Sequence, residues 1–263
     1  MCLLLGFRFA SPLISKAYND RGNKNHNQGK LGIAEENYKR AIELNPDNVD
    51  AHHNLSNLYN DHGKKNHDQG KLSIAEENYK RAIELNPDNF DSHYNLGDLY
   101  EDLQQFDKAG EYYRSAVKGN VPEASNNLAR LFIKNKEYSE AVTLLYQGLQ
   151  QANQQDSFPE INYNLFKNLG WARFQQGRDP EAEQVLNIAI GIASKPEVAQ
   201  YLWNRGSAHC LLAQVLERQK KPGAIQQWQQ CSKLGSTGNP DEDTWLDLAH
   251  KTLSKARQSW EEP

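Results

Sequence analysis

An all-α solenoid of antiparallel helix pairs is the fold class this sequence predicts, and three observations predict it. The first is self-similarity. Residues 18–50, YNDRGNKNHNQGKLGIAEENYKRAIELNPDNVD, match residues 59–91, YNDHGKKNHDQGKLSIAEENYKRAIELNPDNFD, at all but five positions and at an offset of 41. The second is the pattern inside each copy. Ala75, Tyr79, Ala82 and Leu85 recur at i, i+4, i+7 and i+10, a helical stripe; Pro87 ends the helix, and the Asn-Pro-Asp-Asn run turns the chain. The third is looser recurrence downstream. NLGDLYEDLQQFDKAGEYYRSAV, NLARLFIKNKEYSEAVTLLYQGL and NLGWARFQQGRDPEAEQVLNIAI each read as a helix, a short turn and a second helix. The second helices carry Ala109, Tyr113 and Ala116, then Ala141, Leu145 and Gly148, then Ala182, Leu186 and Ala189. Small residues at these offsets let two helices approach, and the large residue between them fills the gap.

Taken in order, residues 1–10 form a non-repeat N-terminal segment, residues 11–236 an array of about six units, and residues 237–263 a capping helix. The units begin near residues 11, 50, 91, 123, 160 and 198. The first two carry seven-residue inserts at 23–29 and 64–70, NKNHNQG and KKNHDQG. Seven residues is nearly two helical turns, so an insert can lengthen the first helix while turning its faces by only ~20°. Gly22 and Gly63, each costing about 1 kcal/mol inside a helix, keep a flexible loop open as the competitor. The sixth unit keeps Leu212, Ala213, Ala224 and Trp228 but has a short turn, KKPG. In the last segment Asp241 or Asp243 is placed to cap, Trp245, Leu248, Ala249 and Leu253 to pack inward, and Lys251, Lys255 and Arg257 to stay wet.

The pattern resembles the tetratricopeptide repeat family over roughly residues 12–236. The resemblance implies a right-handed superhelix whose first helices line a concave groove, and a non-catalytic scaffold that binds a partner protein. Beside the core leucine, an asparagine recurs at Asn54, Asn95, Asn127 and Asn168, about 100° around the first helix from the core stripe. In some arrays of the family such asparagines clasp the backbone of an extended peptide. A carboxamide suits that task because it offers a donor and an acceptor together. Leu13 and Leu211 stand there in the first and sixth units, so the ladder spans four units. An asparagine tolerated at an exposed site, making an inter-repeat hydrogen bond, is the bland alternative. His53, Asn57, Tyr94, Asp98, Asn126, Arg130, Lys167 and Trp171 complete the peptide-binding set. Asp50, Asp91, Glu101 and Asp102 against Arg130, Lys134, Lys167 and Arg173 set an acidic-to-basic gradient that would orient a charged peptide. A carboxylate clamp is not expected, because basic residues are missing from its sites and Glu123 would repel a carboxylate.

Other chemistry is poorly supported. GxSxG, phosphate-loop, HExxH and paired Cys/His signals are missing, and the carboxylates of AEENYKRAIE alternate with Lys as helix-surface pairs. Six of the eight histidines fall between 26 and 93, but duplication copies them and their spacing suits no metal. No catalytic residue, metal ligand or cofactor is therefore expected. A net charge of −4 gives no drive toward nucleic acid or acidic membrane, and no run of ~18 apolar residues spans a bilayer. Cys2, Cys210 and Cys231 read as reduced thiols, which with the unconvincing N-terminal leader MCLLLGFRFASPLI suggests the cytoplasm. The hydrophobic fraction of 38% and mean hydropathy of −0.85 suit an array with much surface per residue. The alternative to peptide binding is a structural module that self-associates or docks through residues 1–14.

Overall fold

The computed structural model describes residues 2–154, 159–237 and 240–261, with side chains for 11–154, 159–237 and 241–258. Every regular element among them is helical, and the chain divides into two compact units. Unit 1, residues 1–119, holds three helix pairs: α1 (Cys2–Asn27) with α2 (Leu31–Leu44), α3 (Val49–Asp68) with α4 (Leu72–Leu85), and α5 (Phe90–Asp102) with α6 (Phe106–Lys118). Unit 2, residues 120–263, pairs α7 (Pro122–Lys134) with α8 (Tyr138–Gln154), α9 (Pro159–Gln175) with α10 (Asp179–Ala193), and α12 (Ser207–Arg218) with α13 (Ala224–Leu234). The short α11 (Pro196–Ala199) precedes the last pair, and α14 (Pro240–Glu261) packs on α13 and α12.

The small–large–small stripes form the core. Ala34, Tyr38 and Ala41, then Ala75, Tyr79 and Ala82, then Ala109, Tyr113 and Ala116, are all buried. Each tyrosine ring lies on a glycine of the first helix, sixteen residues upstream: Tyr38 on Gly22, Tyr79 on Gly63 and Tyr113 on Gly97. A Cβ on Gly97 would stand 2.6 Å from the Tyr113 ring, inside van der Waals contact. This contact outweighs the helix penalty that left a loop open at Gly22 and Gly63: α1 and α3 are continuous through Asn27 and Asp68. It also relocates the extra length. Counted back from the turn, Gly63 stands where Gly97 does, so the seven residues by which α3 exceeds α5 are 49–55, at the start of the helix rather than at 64–70.

Successive pairs of unit 1 are joined by a repeated polar staple. Asn48 and Asn89 cap α3 and α5, their Oδ1 accepting from the backbone N–H of Ala51 and Ser92. Their amide nitrogens donate to Ser15 and Ser56, whose hydroxyls donate to the carbonyls of Ala41 and Ala82. His52 and His93 meet the carbonyls of Pro46 and Pro87 across the turn.

Unit 2 departs from the sequence reading in three places. Cys210 and Cys231, expected as separate reduced thiols, are joined in a disulfide between α12 and α13. The sixth first helix begins only at Ser207, because residues 200–206 form an anchored loop: Tyr163 Oη donates to Asn204 O, Asn204 Nδ2 to Ser236 O, and Ser236 Oγ to Trp203 O. On α14, Trp245, Leu246 and Ala249 are buried and Leu253 packs partly, whereas Leu248 lies off that stripe and is 40% exposed.

Gly97→Ala is expected to cost about 1–3 kcal/mol through overpacking against Tyr113, read as a lowered urea midpoint with an unchanged m-value. Reducing the Cys210–Cys231 bond, which closes a loop of 21 residues, should lower the stability of unit 2 by about 3 kcal/mol. Denaturation with and without reductant checks this.

Candidate functional site: the first-helix faces

In unit 1 the ladder asparagines are half-buried and already bonded to a neighbouring helix. Asn54 Nδ2 donates to Asn19 Oδ1 of α1 at 2.9 Å, and Asn95 Nδ2 to Asn60 Oδ1 of α3 at 2.9 Å. Asn60 Oδ1 also accepts from Ser92 Oγ at 3.1 Å. The ladder is thus an inter-repeat staple first, the bland alternative, with the –NH2 of each amide committed. Around it His53 and Asn57 are exposed, and Asn57 Oδ1 accepts from the capping Asn89. Tyr94 lies against Tyr113 at 6.1 Å, and Asp98 accepts from the Tyr113 hydroxyl at 2.6 Å, so both help seat the second helix.

In unit 2 the expected residues come together, but not on an open surface. Asn168, 1% exposed, donates to Asn126 Oδ1 at 2.9 Å, and Asn126 Nδ2 donates to Asn127 Oδ1 at 3.2 Å. Asn168 Oδ1 is buried with no hydrogen-bond partner among the described residues. Arg130, Lys167 and Trp171, expected to face an empty groove, are covered by the first turn of α14. Asp241 pairs with Arg130 at 3.2 Å and Lys134 at 3.3 Å; Glu242 pairs with Lys167; Trp171 and Trp245 meet edge to face at 5.0 Å. The physical reason is complementarity: acids that also favour a helix N-terminus meet three cations on α7 and α9. Asp241, offered by the sequence as a cap, spends its carboxylate on these cations. Arg173, the fourth basic residue of the expected gradient, pairs with Glu181 at 3.2 Å.

Burial alone would raise the Glu242 carboxyl. The charge and hydrogen bond of Lys167, together with hydrogen bonding from Ser207 and Asn204, outweigh it and hold that carboxyl below the usual range. Beside this pair lies a polar cavity of about 330 Å³ walled by Asn126, Asn127, Asn164, Asn168 and Glu242, with Tyr201 and Trp203 at its edge. Those two aromatics are 67% and 80% exposed although their loop is anchored. A second cavity, about 420 Å³, lies on the second-helix side of unit 1 under Lys39 and Arg81, both about 6 Å from the Tyr59 ring.

Sequence reasoning missed Asn19 and Asn60, although their recurrence at the 41-residue offset was a signal, and it missed Tyr201, Trp203 and Glu242, for which no local signal exists. Among the described residues no three His, Cys, Asp or Glu side chains gather to hold a metal, and no helix is long and apolar enough to cross a membrane.

Stacked helix pairs presenting first-helix faces define a helical-repeat protein. Models of the TPR repeat match residues 22–63 and 63–104, and models of the tetratricopeptide repeat match 92–125 and 112–157, together just over half of the chain. The chain belongs to the tetratricopeptide repeat family, whose repeats build protein-interaction scaffolds. Solved structures share the fold: PilF of Pseudomonas aeruginosa (20% identity, 77% of this chain and 86% of that one, TM-score 0.58) and the type IV pilus biogenesis factor PilW (19%, 79% and 90%, 0.60). Yeast Tom70 is similar over 94% of this chain and 55% of its own (17%, 0.54). No curated protein sequence matches the chain.

The depressed Glu242 carboxyl sets a pH dependence. Its contribution to seating α14 is complete above the ordinary glutamate value of about 4.5 and is lost as pH falls through the lower folded value. Hydrogen exchange over residues 241–250, corrected for intrinsic rates, should accelerate in that acid window. Glu242→Gln should accelerate it already at neutral pH, with a stability cost of about 3 kcal/mol from the abandoned Lys167.

Proposed function

We propose that this protein is a non-catalytic interaction scaffold that binds a peptide segment of a partner protein along its first-helix faces. The observation that carries this is the face of unit 1, where exposed His53 and Asn57 and half-buried Asn54, Tyr94 and Asn95 follow one another on α3 and α5. Polar groups and an aromatic on rigid helices suit recognition of a backbone and its side chains. Asn54, Asn95, Asn127, Asn168 and the residues beside them are proposed contacts; in unit 2 the contacts need α14 to yield. A bonded Cys210–Cys231 pair removes the support that free thiols lent to the cytoplasm and favours an oxidising compartment.

Alanine at Asn54, Asn95 or Asn168 would also break inter-helix hydrogen bonds, so the test uses exposed His53 and half-buried Tyr94, with helicity checked because the Tyr94 ring also packs on Tyr113. His53→Ala/Tyr94→Ala, equally helical by circular dichroism, should capture its partner from source-cell lysate about tenfold less than wild type. Arg40→Ala/Glu43→Ala, an exposed pair on α2, should capture it normally. Equal capture by all three proteins would defeat the reading. Leu13, 73% exposed, and Ile14, 46% exposed, support a second reading, self-association or docking through the start of α1. A concentration-dependent mass that vanishes on deleting residues 1–14 would favour it.

A further inference from the structure

We infer that the α7–α9 face under the first turn of α14 is an interaction surface for an acidic–aromatic helical segment of a partner protein, and that Asp241, Glu242 and Trp245 are its resident stand-in. The inference rests on the proposed reading of the first-helix faces as binding surfaces, and names the partner chemistry that one of them takes.

Three observations converge. First, the cover is electrostatically specific. Two consecutive acids on one helical turn reach three cations on two other helices, Asp241 to Arg130 and Lys134, Glu242 to Lys167, and an indole three residues on meets Trp171. Second, the contact is unlike a core. A helix that only had to shield the end of the array would do so with apolar residues, since a buried ion pair is no more stabilising than well-packed hydrophobes of similar volume. Here the Lys167 and Glu242 side chains are each 9% exposed, and Asn168, 1% exposed, keeps an acceptor oxygen with no donor among the described residues. Asn168 also lines the adjoining polar cavity, so a donor on a bound segment has an acceptor to meet there. Third, the covered face continues into the polar cavity flanked by Tyr201 and Trp203, aromatics held outward by a loop that is itself hydrogen-bonded to Ser236. A longer segment than the α14 turn therefore has further contacts to make beyond Glu242.

The partner that fits presents two adjacent carboxylates in the first turn of a helix and an aromatic three or four residues later. In cis, α14 competes at an effective concentration in the millimolar range, so the surface binds such a segment weakly until α14 lifts.

The test uses the full-length chain and a fluorescent synthetic peptide of this chain's own residues 240–261 as the probe. In Asp241→Lys/Glu242→Lys, with α14 released as seen by faster hydrogen exchange over 241–250, the probe should bind at least about tenfold tighter than to wild type. Adding Arg130→Glu and Lys167→Glu should abolish the gain, and a probe with both acids reversed should not bind. A released, folded chain that binds the probe no tighter than wild type overturns the inference. Equal tightening toward a single-stranded oligothymidylate also overturns it, since the face would then read charge alone. Should the charge-reversed chain fail to fold, millimolar probe added to wild type must speed exchange over 241–250; no change overturns the inference. These outcomes are independent of His53 and Tyr94, so loss of partner capture through unit 1 and loss of probe binding in unit 2 are separate failures.

Discussion

Everything in unit 1 depends on the approach of each second helix to its first, a tyrosine ring seated on a bare glycine between two alanines. The contact sets the distance between the helices and fixes their register from the turn, because Tyr38, Tyr79 and Tyr113 each find their glycine sixteen residues upstream. A hairpin locked at its turn can change length only at its open end. The extra heptad of α3 therefore precedes Ser56. Since a heptad nearly restores the helical phase, Asn54 and Asp61, seven apart, share one face of α3, which is two turns deeper than that of α5.

That dependence explains what could be read in advance. Periodicity reports which side of a helix is apolar, so the pairs, the alanine stripes and the proline stops were legible residue by residue. The place of the extra length was not, since in sequence α3 aligns with α5 from its start, HNLSNLY on YNLGDLY, whereas the packing aligns the two helices from the turn. Nor does periodicity report what comes to lie on a polar side. Arg130 meets Asp241 from 111 residues away, and nothing near Arg130 announces it. The cysteines were misread for a related reason: Cys210 and Cys231 sit on partner helices, and their pairing follows from the hairpin rather than from any spacing motif.

The asparagines show how one side chain answers two demands. A carboxamide can donate to the preceding first helix and still carry an acceptor, so the bonds Asn54–Asn19 and Asn95–Asn60 do not oppose a ligand role; they orient the amide. An alanine there would loosen the stack, and a leucine at Asn54 would take from the buried Asn19 oxygen its Asn54 donor, a loss of about 1–3 kcal/mol, whereas the Asn60 oxygen would keep its bond from Ser92. Part of the recurrence that suggested a ligand is thus required by folding alone.

In α14 two kinds of force act on adjacent stretches of one helix. Leu246 packs close to Gly235, Ala249 is fully buried, and Cys231, tied to α12, lies 4.0 Å from the Trp245 carbonyl, so the body of the helix is held by packing on a cross-linked hairpin. The first turn is held chiefly by charge. Packing is insensitive to protonation, whereas the Glu242–Lys167 pair responds to acid, and the partly exposed Asp241 pairs to ionic strength as well. A competitor or an acid shift therefore acts first on the turn that covers α7 and α9, and loosens the packed body of α14 only through it.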